Sequence, residues 1–253
     1  KRVGAKLCLR GRHKFRLTDV GQATYDAARK LFADIDDFQA RISSVSGGVT
    51  GRLKIGASEG TFTSSQLGLQ KIIARLMKPD FDIFVDVFLG TPSELEQRLS
   101  DGDRDIILGP LTQKIAGMVY QPYYNEPHYL YCGKGHPLFA RRDSTITQDV
   151  IDATRFSVRA YRQFDDLYRV GHPRAAASIM QMEAQLMMIL SGEFIGFLPD
   201  HYADKWMKDG MLRSIRPRTY TFKSLHNIAY RESDAERPVI KAFRQCLPKL
   251  VLQ

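Results

Sequence analysis

The spacing of apolar and polar positions changes along the chain, and each change marks an element. Thr24, Ala28, Leu31, Ile35, Phe38, Ile42 and Val45 recur at alternating intervals of four and three, the repeat of a coiled-coil seam. The pattern predicts one helix from Thr18, whose hydroxyl suits the N-cap, to the break at Ser46, Gly47 and Gly48. At 1.5 Å per residue such a helix is about 40 Å long, more than one small domain can cover. Self-association along the seam is the expectation, and packing on its own chain is the alternative.

After the GGVTG run the period alternates. Arg52 to Gly56 reads as a strand, and Ser64 to Met77 as a helix with Leu69, Ile72, Ile73 and Leu76 on one face. Phe81 to Leu89 reads as a strand, Pro92 to Leu99 as a helix and Asp105 to Gly109 as a buried strand. This βαβαβ order implies a parallel sheet. A second block predicts strands at Tyr129 to Cys132, Phe156 to Val158 and Phe194 to Leu198, with helices at Gln148 to Ala153, Met182 to Leu190 and Asp200 to Met207. A strand from His226 to Arg231 and a helix from Pro238 to Leu250 form a returning tail. Two α/β blocks and a tail predict two lobes joined by crossover strands, with a cleft between them.

The stretch TPSE gives one helix an explicit start, with Thr91 as N-cap, Pro92 as first helical residue and Glu94 as capping-box acid. Ligands of such sheets bind beyond the carboxyl ends of the strands. Thr91 is therefore a candidate ligand residue; capping alone is the equal alternative.

Composition limits the choices. A chain of 253 residues with 43% apolar content builds one large or two medium globular domains. The formal charge is +9, but residues 1–18 hold seven Lys and Arg and no acid, which leaves +2 for the remainder. The basic signal is local and suggests an anionic partner at that end. The chain starts at Lys1, with Val3, Ala5, Leu7 and Leu9 already in an apolar alternation, so a preceding segment is expected. Cys8, Cys132 and Cys246 are odd in number and far apart, which argues for free thiols in a reducing cytoplasm. No apolar run approaches the ~18 residues of a membrane span, and no signal peptide is visible.

The stretch RGRHKFRLTDVG, which starts at Arg10 and is preceded by Gly4 and Leu7, resembles the end of the DNA-binding domain of LysR-type transcriptional regulators, whose LTxxG opens a linker helix. Leu7, Arg10, Leu17, Thr18 and Gly21 match, while Cys8 stands where Phe is common. The resemblance continues through GRLKIGAS, GTPSELEQRLSDGDRDIIL, GHPL and SGEFIGFLPDHYA, and so covers essentially the whole chain. Phe194 replaces a frequent glycine, so packing or pocket shape is expected to differ there.

The resemblance implies an α/β fold of two Rossmann-like lobes similar to type 2 periplasmic binding proteins. These follow a long linker helix and the remnant of a winged helix-turn-helix whose recognition helix lies before Lys1. It divides the chain into the end of the DNA-binding domain (1–18), a dimerising linker helix (19–48), lobe I (52–127 and 227–253) and lobe II (128–226). Arg10, Arg12, Lys14 and Arg16 become wing residues that contact the phosphates or minor groove of double-stranded operator DNA. Leu31, Ile35, Phe38, Ile42 and Val45 become the pairing seam of a homodimer or homotetramer. Ser58, Glu59, Thr61, Thr91, Pro110, Arg159 and Met182 become the lining of a small-molecule effector site between the lobes. Helix N-termini and Arg159 or Arg162 favour an organic anion there, whereas Glu59 favours a cationic or hydroxylated ligand.

Other chemistry lacks a signature. The Met-rich run Met180 to Met188 reads as adaptable core packing rather than a metal or cofactor box. The six histidines lack ligand spacing, and neither GxSxG nor a phosphate-binding GxxxxGKS occurs. No metal, cofactor, membrane association or enzymatic activity is expected. A ligand-responsive DNA-binding regulator is the leading reading. The alternatives are a solute-binding protein of a transport system, which the two-lobed fold permits, and an enzyme using the cleft.

Overall fold

A computed structural model describes residues 4–10, 15–45, 48–64, 66, 68–79, 81–162 and 165–247. The chain enters as an antiparallel hairpin of β1 (Cys8–Arg10) and β2 (Phe15–Leu17), with Leu9 opposite Arg16. The hairpin leads into helix α1 (Asp19–Val45), close to the predicted span.

Strand β3 (Val49–Ser58), a short 3-10 turn (Thr61–Thr63), α2 (Leu69–Leu76), β4 (Phe81–Gly90), α3 (Pro92–Ser100) and β5 (Ile106–Gly109) follow. The expected parallel arrangement is present, with β3 between β4 and β5. Helix α2 starts at Leu69 rather than Ser64, because Gly68 immediately before it is left-handed at φ 58° and breaks the helical path. At α3 the capping box forms as read: Glu94 N donates to Thr91 Oγ1, and the Glu94 side chain accepts from Thr91 N at 2.9 Å.

Strand β6 (Met118–Gly133) is four times the length predicted. Pro122 and Pro127 interrupt its pattern in the sequence, yet it crosses the whole molecule beside β11. Then come α4 (Gln148–Asp152), β7 (Arg155–Arg159), α5 (Asp165–Val170), β8 (Ala177–Ile179), α6 (Met182–Leu190), β9 (Phe194–Pro199), α7 (Asp200–Lys208), β10 (Leu212–Ser214), β11 (Thr221–Arg231) and α8 (Pro238–Cys246). Helix α6 has the bounds read from the sequence. The tail helix predicted to reach Leu250 ends instead at Cys246, because Leu247, which precedes Pro248, is extended at ψ 137°. Phe194 opens β9 opposite Arg155.

Apart from the β1-β2 hairpin, the described strands form one sheet in the order β4-β3-β5-β11-β6-β9-β7-β8, with β10 also against β6. One core packs Leu53, Ile55, Ile72, Leu76, Ile106, Ile240 and Phe243 between β3, β5, α2 and α8. A second holds Leu130, Phe156, Val158, Ile195, Phe197 and Ile215, and a third holds Tyr131, Leu186, Ile189 and Leu198 beneath α6 and α7. Each fully buried branched or aromatic side chain contributes about 1.5–3 kcal/mol. Strands β6 and β11 run from the first core to the second. Their register shifts between His226 and Asn227, and the extra residue lets consecutive Tyr123 and Tyr124 both face the first core.

Candidate functional site

The LTxxG stretch is a joint. Thr18 Oγ1 accepts from Gly21 N at 2.9 Å and caps α1, while the same hydroxyl donates to Lys6 O at 2.7 Å. Thr18 N donates to Leu7 O at 2.9 Å. Gly21 is required because a Cβ there would lie 1.9 Å from that carbonyl oxygen. The hairpin is therefore tied to the first turn of α1 from both strands. Arg16 is exposed on β2 and Arg10 ends β1, whereas Arg12 and Lys14 lie outside the described residues.

Along α1 the side chains of Leu31, Phe38 and Ile42 are each more than half exposed, and Ile35 is 42% exposed. Val45 ends the helix, its side chain outside the described residues. Phe32, which the seam spacing leaves out, is 66% exposed beside it. An apolar stripe of this kind in water favours a covering surface.

Between the two main cores lies a narrow cavity, part of it open to solvent. Ser58 and Glu59, Thr91, and Pro110 contribute from the carboxyl ends of β3, β4 and β5. Arg159 at the end of β7 and Met182 at the start of α6 form the opposite wall. Six of the seven predicted residues thus meet in one place. Thr61 does not: it is buried in the 3-10 turn and is not part of the cavity lining. Phe194 does not line the cavity either. Of the methionines, Met182 is buried against Leu186 and Ile189, while Met180 and Met187 are more than half exposed. The core-packing reading therefore holds for only part of that run.

Arg159 is not the free cation that would clamp an anion. Its Nε and Nη2 donate to the two oxygens of Asp166 at 2.9 and 2.7 Å, and both side chains are buried to within 1%. Burial opposes charge on both groups, but their mutual attraction wins, raising the guanidinium above its ordinary value and holding the carboxyl below 3.8. Arg162 adds its Nε at 3.4 Å from Asp166 and its Nη2 at 3.0 Å from Asp165.

The floor of the cavity was not found from the sequence. Glu126 and His128 alternate on β6, Ser224 and His226 alternate on β11, and pairing brings them to one face. Glu126 is buried with three imidazoles around it: His201 Nε2 donates at 2.8 Å, and the Nε2 atoms of His128 and His226 lie 2.8 and 3.1 Å away. Burial pushes the Glu126 carboxyl up, but the charge of His226 and the surrounding ring N–H groups outweigh it and hold the carboxyl well below 4.5. His128 moves the other way: burial, then the Arg159 charge, lower it from 6.5 to about 4, so at neutral pH it carries no charge. Its Nδ1 accepts from Arg159 Nη1 at 3.2 Å, which leaves the proton on Nε2, facing Glu126. The signal available was the E-x-H and S-x-H alternation in EPH and SLH. Among the described residues no group of His, Cys, Asp or Glu is arranged to hold a metal ion.

A last set of contacts links the loop after β3 to the opposite wall. Glu59 Oε2 accepts from Met182 N, the first amide of α6, at 2.9 Å. Gly60 turns the chain at φ 81°, and Tyr202 and Met182 pack beside it. Thr63 Oγ1 lies 2.7 Å from His201 Nδ1. One loop after β3 thereby touches both α6 and α7.

Comparison with known proteins agrees with this architecture. A family model for the LysR substrate binding domain matches residues 46–251. The HTH-type transcriptional activator BauR of Pseudomonas aeruginosa is 32% identical over 248 residues, covering 98% of this chain and 81% of that protein. The HTH-type transcriptional regulator SsuR of Burkholderia cenocepacia is 24% identical over 144 residues, 55% of this chain and 44% of that protein. Among solved structures, full-length CbnR complexed with its target DNA superposes with a TM-score of 0.66 at 17% identity, over 97% of this chain and 84% of that one. A full-length OxyR variant from Pseudomonas aeruginosa gives 0.64 at 18% identity, over 98% and 82%. With the family match spanning most of the chain and BauR aligned along nearly all of it, the chain belongs to the LysR family of transcriptional regulators.

Proposed function

We propose that the protein is a DNA-binding transcriptional regulator whose activity is set by a small molecule held in the cavity between its lobes. The observation that carries this reading is the basic hairpin, joined through Thr18, Leu7 and Gly21 to a helix with an exposed apolar seam. A solute-binding protein has no use for that combination.

In this reading residues 1–18 end the DNA-binding domain, and Arg10, Arg12, Lys14 and Arg16 meet phosphates. Residues 19–48 pair two copies through Leu31, Ile35, Phe38, Ile42 and Val45. Lobe I comprises 52–127 and 227–253, and lobe II comprises 128–226. The core clusters support that division, since among the described residues the first draws on nothing between Tyr124 and Ile228. The effector touches Ser58, Glu59, Thr91, Pro110, Arg159 and Met182. It acts through different affinity for open and closed lobes. The protein is not an enzyme, in keeping with relatives named as regulators. Its place is the cytoplasm, with the DNA; no helix among the described residues is long and apolar enough to cross a membrane.

Operator affinity measured against salt tests the reading. Arg16→Ala makes the log–log slope shallower by about one unit, and Phe38→Asp lowers the mass found by light scattering to that of one chain. A slope unchanged by Arg16→Ala, or a wild-type protein that is already monomeric, refutes it.

A further inference from the structure

The cavity holds several charges, and almost all are already matched inside the protein. Arg159 is bound by Asp166, Arg162 by Asp165 and Asp166, and Glu126 by three imidazoles. The remaining positive element is the N-terminus of α6. No side chain of its own N-cap residue, Gln181, satisfies its amides, and such a terminus attracts negative charge. Glu59, reaching from the opposite lobe, fills that position at Met182 N.

Among the described residues of the cavity lining, Ser58 Oγ and His226 Nδ1 are the buried polar atoms that neither a hydrogen bond nor an ion pair engages. Their residues are 7% and 3% exposed. Unsatisfied groups at such depth indicate that something else completes them. Ser58 directly precedes Glu59, so the orphan hydroxyl and the capping carboxylate line the same end of the cavity.

We propose that Glu59 is a resident stand-in for the effector. A small carboxylate entering the cavity displaces the Glu59 side chain from the α6 N-terminus and accepts hydrogen bonds from Met182 N, Ser58 Oγ and His226 Nδ1. This rests on the reading of the cavity as an effector site, and it assigns that effector to the small organic anions. It also makes binding a switch, because the same carboxylate of Glu59 joins lobe I to α6 only while the site lacks ligand. Occupation exchanges a bond between the lobes for bonds to a diffusible molecule, which leaves the loop linked to α7 through Thr63 and His201 but no longer to α6 through Glu59. Glu59 acts here as a positioning residue and competitor.

The test uses the full chain, with sodium acetate and sodium propionate as probes, methylammonium chloride as the probe of opposite charge, and sodium chloride at matched ionic strength as the blank. Binding is read from the dependence of the unfolding midpoint on probe concentration. Glu59→Gln keeps the shape but removes the competing charge, so it binds the carboxylates about three- to tenfold more tightly than wild type, in line with the worth of an anion at a helix N-terminus. Adding Ser58→Ala to Glu59→Gln weakens that binding about two- to tenfold, the loss of one hydrogen bond. Equal or weaker carboxylate binding by Glu59→Gln overturns the stand-in role while leaving the cavity as the effector site. Indifference to Ser58→Ala overturns the assigned contacts. Saturation by methylammonium but not by carboxylates overturns the anion class alone. Failure of every probe in both forms overturns the inference together with the effector reading on which it rests.

Discussion

Replacing Asp166 with alanine removes the counter-charge of a guanidinium that is 1% exposed. The Arg159 head cannot turn to water without breaking the wall it belongs to, His128 on its other side is neutral, and the other carboxylates nearby are already engaged, Glu126 by histidines and Asp165 by Arg162 and Arg169. Breaking a buried pair by deleting one partner costs about 3–5 kcal/mol. Coulomb attraction at ~4 Å with an effective dielectric of ~20 gives about 4 kcal/mol by an independent route. For a chain of this size each kcal/mol moves the melting midpoint by about 2–4 °C, so Asp166→Ala lowers it by roughly 6–20 °C. Circular dichroism during heating, with a urea titration at 25 °C, gives both numbers. Replacing both partners, Arg159→Met with Asp166→Leu, removes the charges together and recovers most of the loss. A decrease below about 1 kcal/mol for the single variant, or a double variant no better than it, refutes the claim that this pair is a desolvated, mutually dependent unit.

Two further outcomes follow from buried titrating groups. His128 has a folded value of about 4 against an ordinary 6.5, so its contribution is complete above pH 6.5 and declines as pH falls towards 4. Wild type therefore loses about 2 kcal/mol more than His128→Gln between pH 7 and pH 5, and equal losses in the two proteins contradict the assignment. The carboxyls of Asp166 and Glu126, both lowered, add their own losses only below their ordinary values of 3.8 and 4.5. Burial raises the Cys132 thiol to about 12 and raises that of Cys246 as well, so maleimide at neutral pH labels Cys8 in the native protein and all three cysteines only after denaturation. Rapid native labelling at Cys132 contradicts the packing described.

Much of this fold is local enough to be read from the chain. The seam of α1, the capping box at Thr91 and the bounds of α6 rest on neighbours within a few positions, where periodicity and capping chemistry act directly. The sequence pattern shows only the end of strand β6, because Pro122 and Pro127 punctuate it, and its long pairing with β11 carries the strand past them. Thr91 is legible because ligands gather at the carboxyl ends of parallel strands, whereas Ser58 and Pro110 follow from the family resemblance. Glu126 and His226 are not legible, since register between two distant strands decides that they meet. Arg159 was correctly placed at the cavity but its partner was missed: Asp166 follows only seven positions later, on α5, a short helix the pattern did not reveal.

The joint at Thr18 has a mechanical meaning. Three hydrogen bonds from one threonine, together with a glycine pressed against a carbonyl, leave the hairpin no free swivel relative to the rod behind it. Any rotation of that rod about its axis carries the basic tip through the same angle. A change of a few degrees far along the rod becomes a displacement of charge at its end, so torsion, with no need for bending, can serve as the currency between the two ends of the molecule.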